Sequence, residues 1–206
     1  MRLAIIGTGV IGTTIGRRWL ERDHIVTYGV RDPGTSPSHP LPDRSEVDSI
    51  PNAVRGAGAT LIAIPGGAVK NLLETHASSL DGELLLDASN DVSGGPFHHI
   101  PLFDAQLPTA RVYRAFSTLG SENFADPTID GQQADLFYAG PKTVDRQVVE
   151  QLIGDVGLRP IYVGSGAAGA DLLDGLTRLW FALAVGQSFG RHLAFKTLRP
   201  ASTGNP

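Results

Sequence analysis

An apolar run, Leu3-Ala4-Ile5-Ile6, leads straight into Gly7-Thr8-Gly9-Val10-Ile11-Gly12, and no other stretch limits the fold of this chain so sharply. A lone G-x-G-x-x-G says little. Here it lies between a predicted strand (Leu3 to Ile6) and a predicted helix (Val10 to Arg22), with a second strand (His24 to Val30) closing the unit. That context predicts a βαβ unit whose helix amino terminus faces the pyrophosphate of a dinucleotide. The first glycine permits the tight turn, and the second lets the backbone approach the phosphates. The third brings the helix close to the strand. Gly16, one helical turn on, extends the same pattern.

The end of the second strand indicates which dinucleotide is held. NAD-binding units usually place an acid about 20 residues beyond the glycines to accept the ribose hydroxyls. Seventeen residues past Gly12 stands Gly29, in Tyr28-Gly29-Val30-Arg31-Asp32. A guanidinium in place of that acid suits a ribose carrying a 2′-phosphate, because Arg forks onto phosphate oxygens. A charged hydrogen bond of about 1.5–3 kcal/mol corresponds to a roughly ten- to hundred-fold preference for NADP over NAD. The competing reading makes Asp32 the ribose acid and Arg31 a solvated surface residue.

Composition narrows the remaining classes. A length of 206 residues suits one domain with a short appendage, and a net charge of −4 leaves no basic footprint for nucleic acid. With no cysteine, disulfides and thiolate chemistry are excluded. No apolar run reaches about 18 residues, and no leader precedes the first strand, so a soluble, cytoplasmic protein is expected.

Strands and helices then alternate along the chain. Asp32 to Asp43 reads as an exposed loop rich in Pro and Gly beside the adenine end of the cofactor. Ser45 to Ser49 reads as a short strand and Pro51 to Ala57 as a short helix. Thr60 to Pro65 reads as a strand, Val69 to Leu80 as a helix and Leu84 to Ala88 as a strand. Residues 96 to 107 are ambiguous, with helical character around Phe97, Ile100, Leu102 and Phe103. Strands at Val112 to Phe116, Asp135 to Ala139 and Pro160 to Val163 enclose a helix from Lys142 to Val156 that ends at Gly157. The alternation predicts an α/β, Rossmann-type, doubly wound and mostly parallel sheet with a long carboxy-terminal helix. Residues 1–165 form the expected NADP-binding domain, and 166–206 a helical segment for packing and dimerisation.

That last helix is expected from Ala167 to Phe195. Leu172, Leu173, Leu176, Leu179, Trp180 and Leu183 share one arc, and Asp171, Asp174 and Arg178 the other. The apolar arc covers either the chain's own sheet or a second subunit, with the polar arc in solvent. The alternative turns one of the polar groups toward the nicotinamide.

Gly7 to Gly12, Gly29-Val30-Arg31, Ala63-Ile64-Pro65, Asp87-Ala88-Ser89-Asn90 and Arg114-Ala115-Phe116-Ser117-Thr118-Leu119-Gly120 occur in that order. Together they resemble the NADPH-dependent deazaflavin (coenzyme F420) reductases and the related amino-terminal domains of the STEAP ferric reductases. The resemblance spans about residues 1 to 165. It implies that Arg31 reads the 2′-phosphate, and that Ile64 and Pro65 lie along the cofactor. It also implies that Asn90, Ala115, Phe116, Ser117 and Thr118 border the nicotinamide. Three positions depart from the family: Val30 replaces a hydroxyl residue, Ser117 an Asn and Asp91 a Pro.

No other chemistry assembles from the sequence. Gly164-Ser165-Gly166 lacks nucleophile-elbow spacing and reads as a strand-to-helix turn. The neighbours His98 and His99 diverge rather than converge on a metal, and Lys70 reads as solvated. No metal site is expected. The expected function is hydride transfer between NADP(H) and a deazaflavin- or flavin-like small-molecule acceptor, carried out by a homodimer paired through the last helix. Reduction of a small imine or carbonyl is the alternative, with Asp171, Asp174, His98 or Ser117 as candidate proton donors. A third reading is a module that senses NADP(H) without turnover.

Overall fold

The computed structural model describes residues 1–200. Along the chain run β1 (Arg2–Ile6), α1 (Val10–Leu20), β2 (Ile25–Val30), β3 (Glu46–Ser49), α2 (Ile50–Val54), β4 (Ala59–Ile62), α3 (Val69–Leu80), β5 (Leu84–Asp87), α4 (Ile100–Gln106) and β6 (Arg111–Arg114). There follow α5 (Ser121–Ala125), a hairpin of β7 (Thr128–Ile129) and β8 (Gln132–Gln133), then β9 (Asp135–Ala139), α6 (Asp145–Val156), β10 (Arg159–Gly164) and α7 (Gly166–Phe181).

Eight strands form one sheet in the order β10-β9-β6-β5-β4-β1-β2-β3. All pairs are parallel except β6 with β9, which meet antiparallel at Arg114 and Ala139. Because β1 pairs with both β2 and β4, the winding reverses between β1 and β4. The crevice outside the carboxyl ends of those strands is where doubly wound sheets bind ligands. The register brings Ile6 beside Ile62, Ile62 beside Asp87 and Asp87 beside Arg114. Four segments separated by up to a hundred residues of sequence therefore leave the sheet along one edge.

Side chains alternate along β1, as a buried strand requires. Leu3 and Ile5 enter the larger core with Ile15, Trp19, Tyr28, Phe116 and Phe124, whereas Ala4 and Ile6 enter the second with Val54, Leu73, Leu85 and Phe103. Gly16 lies where a Cβ would fall 2.1 Å from the Tyr28 hydroxyl oxygen, so α1 rests directly on β2. At the end of α6, Gly157 adopts φ 98°, and the N–H of Leu158 donates to Ile153 O at 3.3 Å, which is the glycine stop that the sequence predicts.

The expected terminal helix is cut short. α7 stops at Phe181 and widens into a π-turn, Ala182–Gly186. Ser188 and Gly190 then take left-handed φ values of 58° and 86°, and the N–H groups of Phe189 and Gly190 close the end on Leu183 O and Ala184 O. The following residues run back over the domain as a strap. The Trp180 indole donates to Leu193 O at 2.8 Å, the Asn123 amide to Arg191 O at 3.1 Å and Asp135 N–H to Phe195 O at 3.1 Å. Leu193, Ala194 and Phe195 pack half-buried on the larger core, so this apolar run serves an extended segment. The last six residues of the expected segment, 201–206, lie outside the described residues. Among the described residues, no helix is long and apolar enough to cross a membrane.

Candidate functional site

The glycine loop has the shape its sequence demands. Gly7 takes φ 118°, and a Cβ there would sit 2.3 Å from Ala63 O; a Cβ at Gly12 would sit 2.4 Å from Gly7 O. Both positions are closed to any side chain. Gly9 is the opposite case, with nothing within 4 Å of the place its Cβ would occupy. It caps α1, which has no side-chain cap and no acid in its first turn. The N–H groups of Val10 and Ile11 therefore stand free at the positive end of the helix. An open cradle above unpaired donors fits a dinucleotide pyrophosphate.

At the end of β2, a Cβ at Gly29 would fall 3.2 Å from Ile50 Cα, so this position faces α2 in tight contact. Arg31 is exposed and makes no ion pair among the described residues. Asp32 is engaged elsewhere. Its Oδ1 accepts from Gly34 N–H at 2.9 Å and its Oδ2 from the Thr35 hydroxyl at 3.0 Å, holding the carboxyl below its ordinary range. The loop that Asp32 organises crosses the glycine loop, and Ser38 N–H donates to Thr8 Oγ1 at 3.0 Å.

At the end of β4, Ile64 is half-buried and Pro65 exposed. A Cβ at Gly66 would fall 2.5 Å from Asp91 N and Cα, so the turns after β4 and β5 press together. The Asn90 amide joins two further segments: its Nδ2 donates to Ser117 O at 2.8 Å and its Oδ1 accepts from Arg114 Nη2 at 2.6 Å. Ala115, Phe116, Ser117 and Thr118 are all buried. The Phe116 ring packs edge-on against Trp19 and Phe124, at φ 61°, so it belongs to the core rather than to the cleft. The hydroxyls of Ser117 and Thr118 are buried without a partner. Buried polar atoms rarely stay unpaired, and two at this edge fit a ligand with hydrogen-bonding groups.

Beneath them lies a feature the sequence reading missed. Arg114, with no exposed surface, donates from Nη1 to Asp87 Oδ2 (3.0 Å) and Ser89 O (2.7 Å). Its Nη2 serves Asp174 Oδ1 (3.0 Å) as well as Asn90. Asp174 also accepts from the N–H groups of Phe97 and His98, at 2.6 and 3.2 Å. The solvated place expected for Asp174 is thus overturned. It lies on the buried face of α7 with Leu173, Thr177 and Trp180, while Leu172 and Leu179 of the apolar arc are 61% and 48% exposed. Asp171 and Arg178 do face outward. The signal available in the sequence was Asp87 and Arg114 themselves, two charges ending apolar strands. No cluster of three or more His, Asp or Glu among the described residues could hold a metal ion.

Residues 2–91 match the model of the family described as NADP oxidoreductase, coenzyme F420-dependent. The match takes in the glycine loop, Arg31 and the β4 and β5 edges. Over 97% of its length the chain superposes on all of a candidate F420-dependent NADP reductase from Arthrobacter sp. FB24, with TM-score 0.83 and 23% identity. A reductive aminase from Aspergillus terreus, solved with NADPH and ethyl levulinate, gives TM-score 0.67 at 22% identity, covering 90% of this chain and 62% of that one. An imine reductase from Streptomyces aurantiacus gives 0.60 at 18% identity, covering 90% and 63%. At these identities the likeness is one of fold.

The two acids of α7 give a direct test of the buried network. Asp174→Ala removes one of the two carboxylates at the Arg114 guanidinium and the acceptor of the Phe97 and His98 N–H groups, and should lower unfolding free energy by about 3–5 kcal/mol in chemical denaturation. Asp171→Ala, at the exposed carboxylate, should change it by no more than about 1 kcal/mol. Equal effects of the two substitutions would contradict the assignment.

Proposed function

We propose that the protein is an NADP(H)-dependent oxidoreductase whose cleft lies along the carboxyl ends of β1, β4, β5 and β6. The carrying observation is the contrast at the end of β2, where Arg31 is exposed without an ionic partner while Asp32 has both oxygens engaged. Arg31 takes the 2′-phosphate, and the first turn of α1, with Gly7, Thr8, Gly9, Val10, Ile11 and Gly12, takes the pyrophosphate. Ile64 and Pro65 flank the nicotinamide riboside, and Asn90 fixes the β6 edge beside the ring. Ala115, Phe116 and Ser117 contribute backbone and the Ser117 hydroxyl. When bound, NADPH supplies a hydride from its reduced ring.

The acceptor is a deazaflavin- or flavin-like ring that stacks in this cleft. The acids and the histidine expected as proton donors are committed to structure. Asp174 is bound to Arg114, and His98 to Asp171 and Ile100. Reduction of a small imine or carbonyl is the second reading, suggested by the fold shared with the reductive aminase. NADPH oxidation followed at 340 nm against deazaflavin, flavins, ferric chelates, quinones and imines decides between them. The expected result is a rate with deazaflavin or flavin; tight NADPH binding without any turnover would leave a sensing module instead.

The exposed side of α7 carries a second copy of the chain. Leu172, Leu176, Leu179 and Leu183 repeat at helical spacing away from the buried face, with Phe181, Val185 and Phe189 exposed beside them. So much apolar surface on one element is the mark of an interface. Light scattering should find a dimer that Leu172→Asp with Leu179→Asp converts to monomer; a monomeric wild type at micromolar concentration would refute it.

A further inference from the structure

The loop between β5 and α4 carries two adjacent histidines whose hydrogen bonds assign their protons differently. His98 accepts at Nδ1 from Ile100 N–H (3.2 Å), so its ring proton sits on Nε2, 3.1 Å from Asp171 Oδ1. Both nitrogens are committed. His99 turns toward the sheet edge, where its Nδ1 lies 3.4 Å from Ser89 Oγ. Ser89 has a single hydroxyl proton, and that proton is given to Asp87 Oδ1 at 2.5 Å. Across the Ser89–His99 contact only the imidazole can donate, so Nδ1 of His99 carries a proton.

Nε2 of His99 is then the uncommitted position. It lies 3.9 Å from Asp91 Oδ2, beyond hydrogen-bond reach. The Ser93 hydroxyl and N–H hold the Asp91 carboxyl below its ordinary range, so that counter-charge persists. The other charged groups about the ring are Arg114, behind Asp87, and the positive amino-terminal end of α4, which His99 caps. The side chain of His99 is 13% exposed, against 3% for His98. Asp91 backs onto Gly66, in the turn that follows Ile64 and Pro65. The free nitrogen thus lies beside the turns that follow β4 and β5, the edge to which the proposed function assigns the reduced ring and its acceptor.

We infer that His99 is the proton donor of the reaction, an assignment that rests on the oxidoreductase reading above. Reducing a deazaflavin, a flavin or an imine takes a hydride and a proton. As the acceptor gains the hydride and its electron pair from the dihydronicotinamide, which is oxidised to NADP⁺, the Nε2–H bond of the His99 imidazolium breaks. The proton passes to a ring nitrogen or oxygen of the acceptor. His99 is left neutral, its Nδ1–H still donated to Ser89 Oγ, and regains its second proton from solvent beside Asp91. Ser89 and Asp87 are positioning residues that fix which nitrogen is free.

The test is His99→Gln, with NADPH as reductant and whichever acceptor the wild type reduces. General acids commonly contribute 10²–10⁴-fold, so kcat should fall at least about 100-fold. The decline in rate expected of the wild type as pH rises through neutrality, where imidazole loses its proton, should disappear. A merely structural role would lower stability and leave the pH profile intact. Nitrogen-resolved NMR of the ligand-free protein gives a second readout: neutral His99 should hold its proton on Nδ1, and His98 on Nε2. A His99 ring protonated on Nε2 alone, or a variant with the wild-type pH profile, overturns the proposal. A wild type that binds NADPH and reduces no acceptor sinks the oxidoreductase reading and this proposal together; turnover with an unchanged profile in the variant sinks the proposal alone.

Discussion

A single guanidinium with no exposed surface holds together the part of the molecule that matters for chemistry. Removing Arg114 from water is costly, and acceptors at both terminal nitrogens offset that cost while Nε stays buried without a partner. Asp87, Ser89 and Asn90 supply them from β5 and its following turn, and Asp174 supplies one from α7. The same bonds fix three chain segments against one another. Asn90, locked by Arg114, in turn holds Ser117 O, and Asp174 gathers the N–H groups of the loop that carries His98 and His99. The edge formed by the ends of β5 and β6 is therefore fixed by the chain's own bonds, and a ligand bound there would cost little ordering entropy.

The rim is built on the opposite principle. Gly9 faces open space, Arg31 projects without an ionic partner, and the loop after β2 is joined to the glycine loop through Ser38 and Thr8. Charged and flexible donors suit the recognition of phosphates. A rigid, water-poor floor suits hydride transfer, where orientation and exclusion of solvent count most. The hydroxyls of Ser117 and Thr118 are buried at the end of β6 without a partner.

Features governed by local pattern could be read from the sequence. The glycine loop, α3 at Val69–Leu80 and β9 at Asp135–Ala139 follow from spacing alone, and the strand ends fall within one to three residues of their expected places. What could not be read depends on partners distant in sequence. A carboxylate on an amphipathic helix belongs by default to the solvated face, and the Arg114 side chain, sixty residues earlier, with the N–H groups of Phe97 and His98, draws Asp174 inward. Gly29 stood out as a missing acid, yet its smallness serves the packing of α2. The terminal helix read too long because the left-handed turn at Ser188 and Gly190 is set against hydrogen bonds that the strap makes to α5 and β9. Phe116 carried a family role by position, and its ring instead fills the core.

The account stands on Arg31 as the reader of a 2′-phosphate. Calorimetric titration of wild type and Arg31→Ala with NADPH and with NADH addresses it most directly. The wild type should bind NADPH at least about ten-fold more tightly than NADH, in line with one charged hydrogen bond, and the variant should lose that preference with its NADH affinity little changed. Equal binding of the two cofactors by the wild type, or equal weakening of both in the variant, would contradict the account.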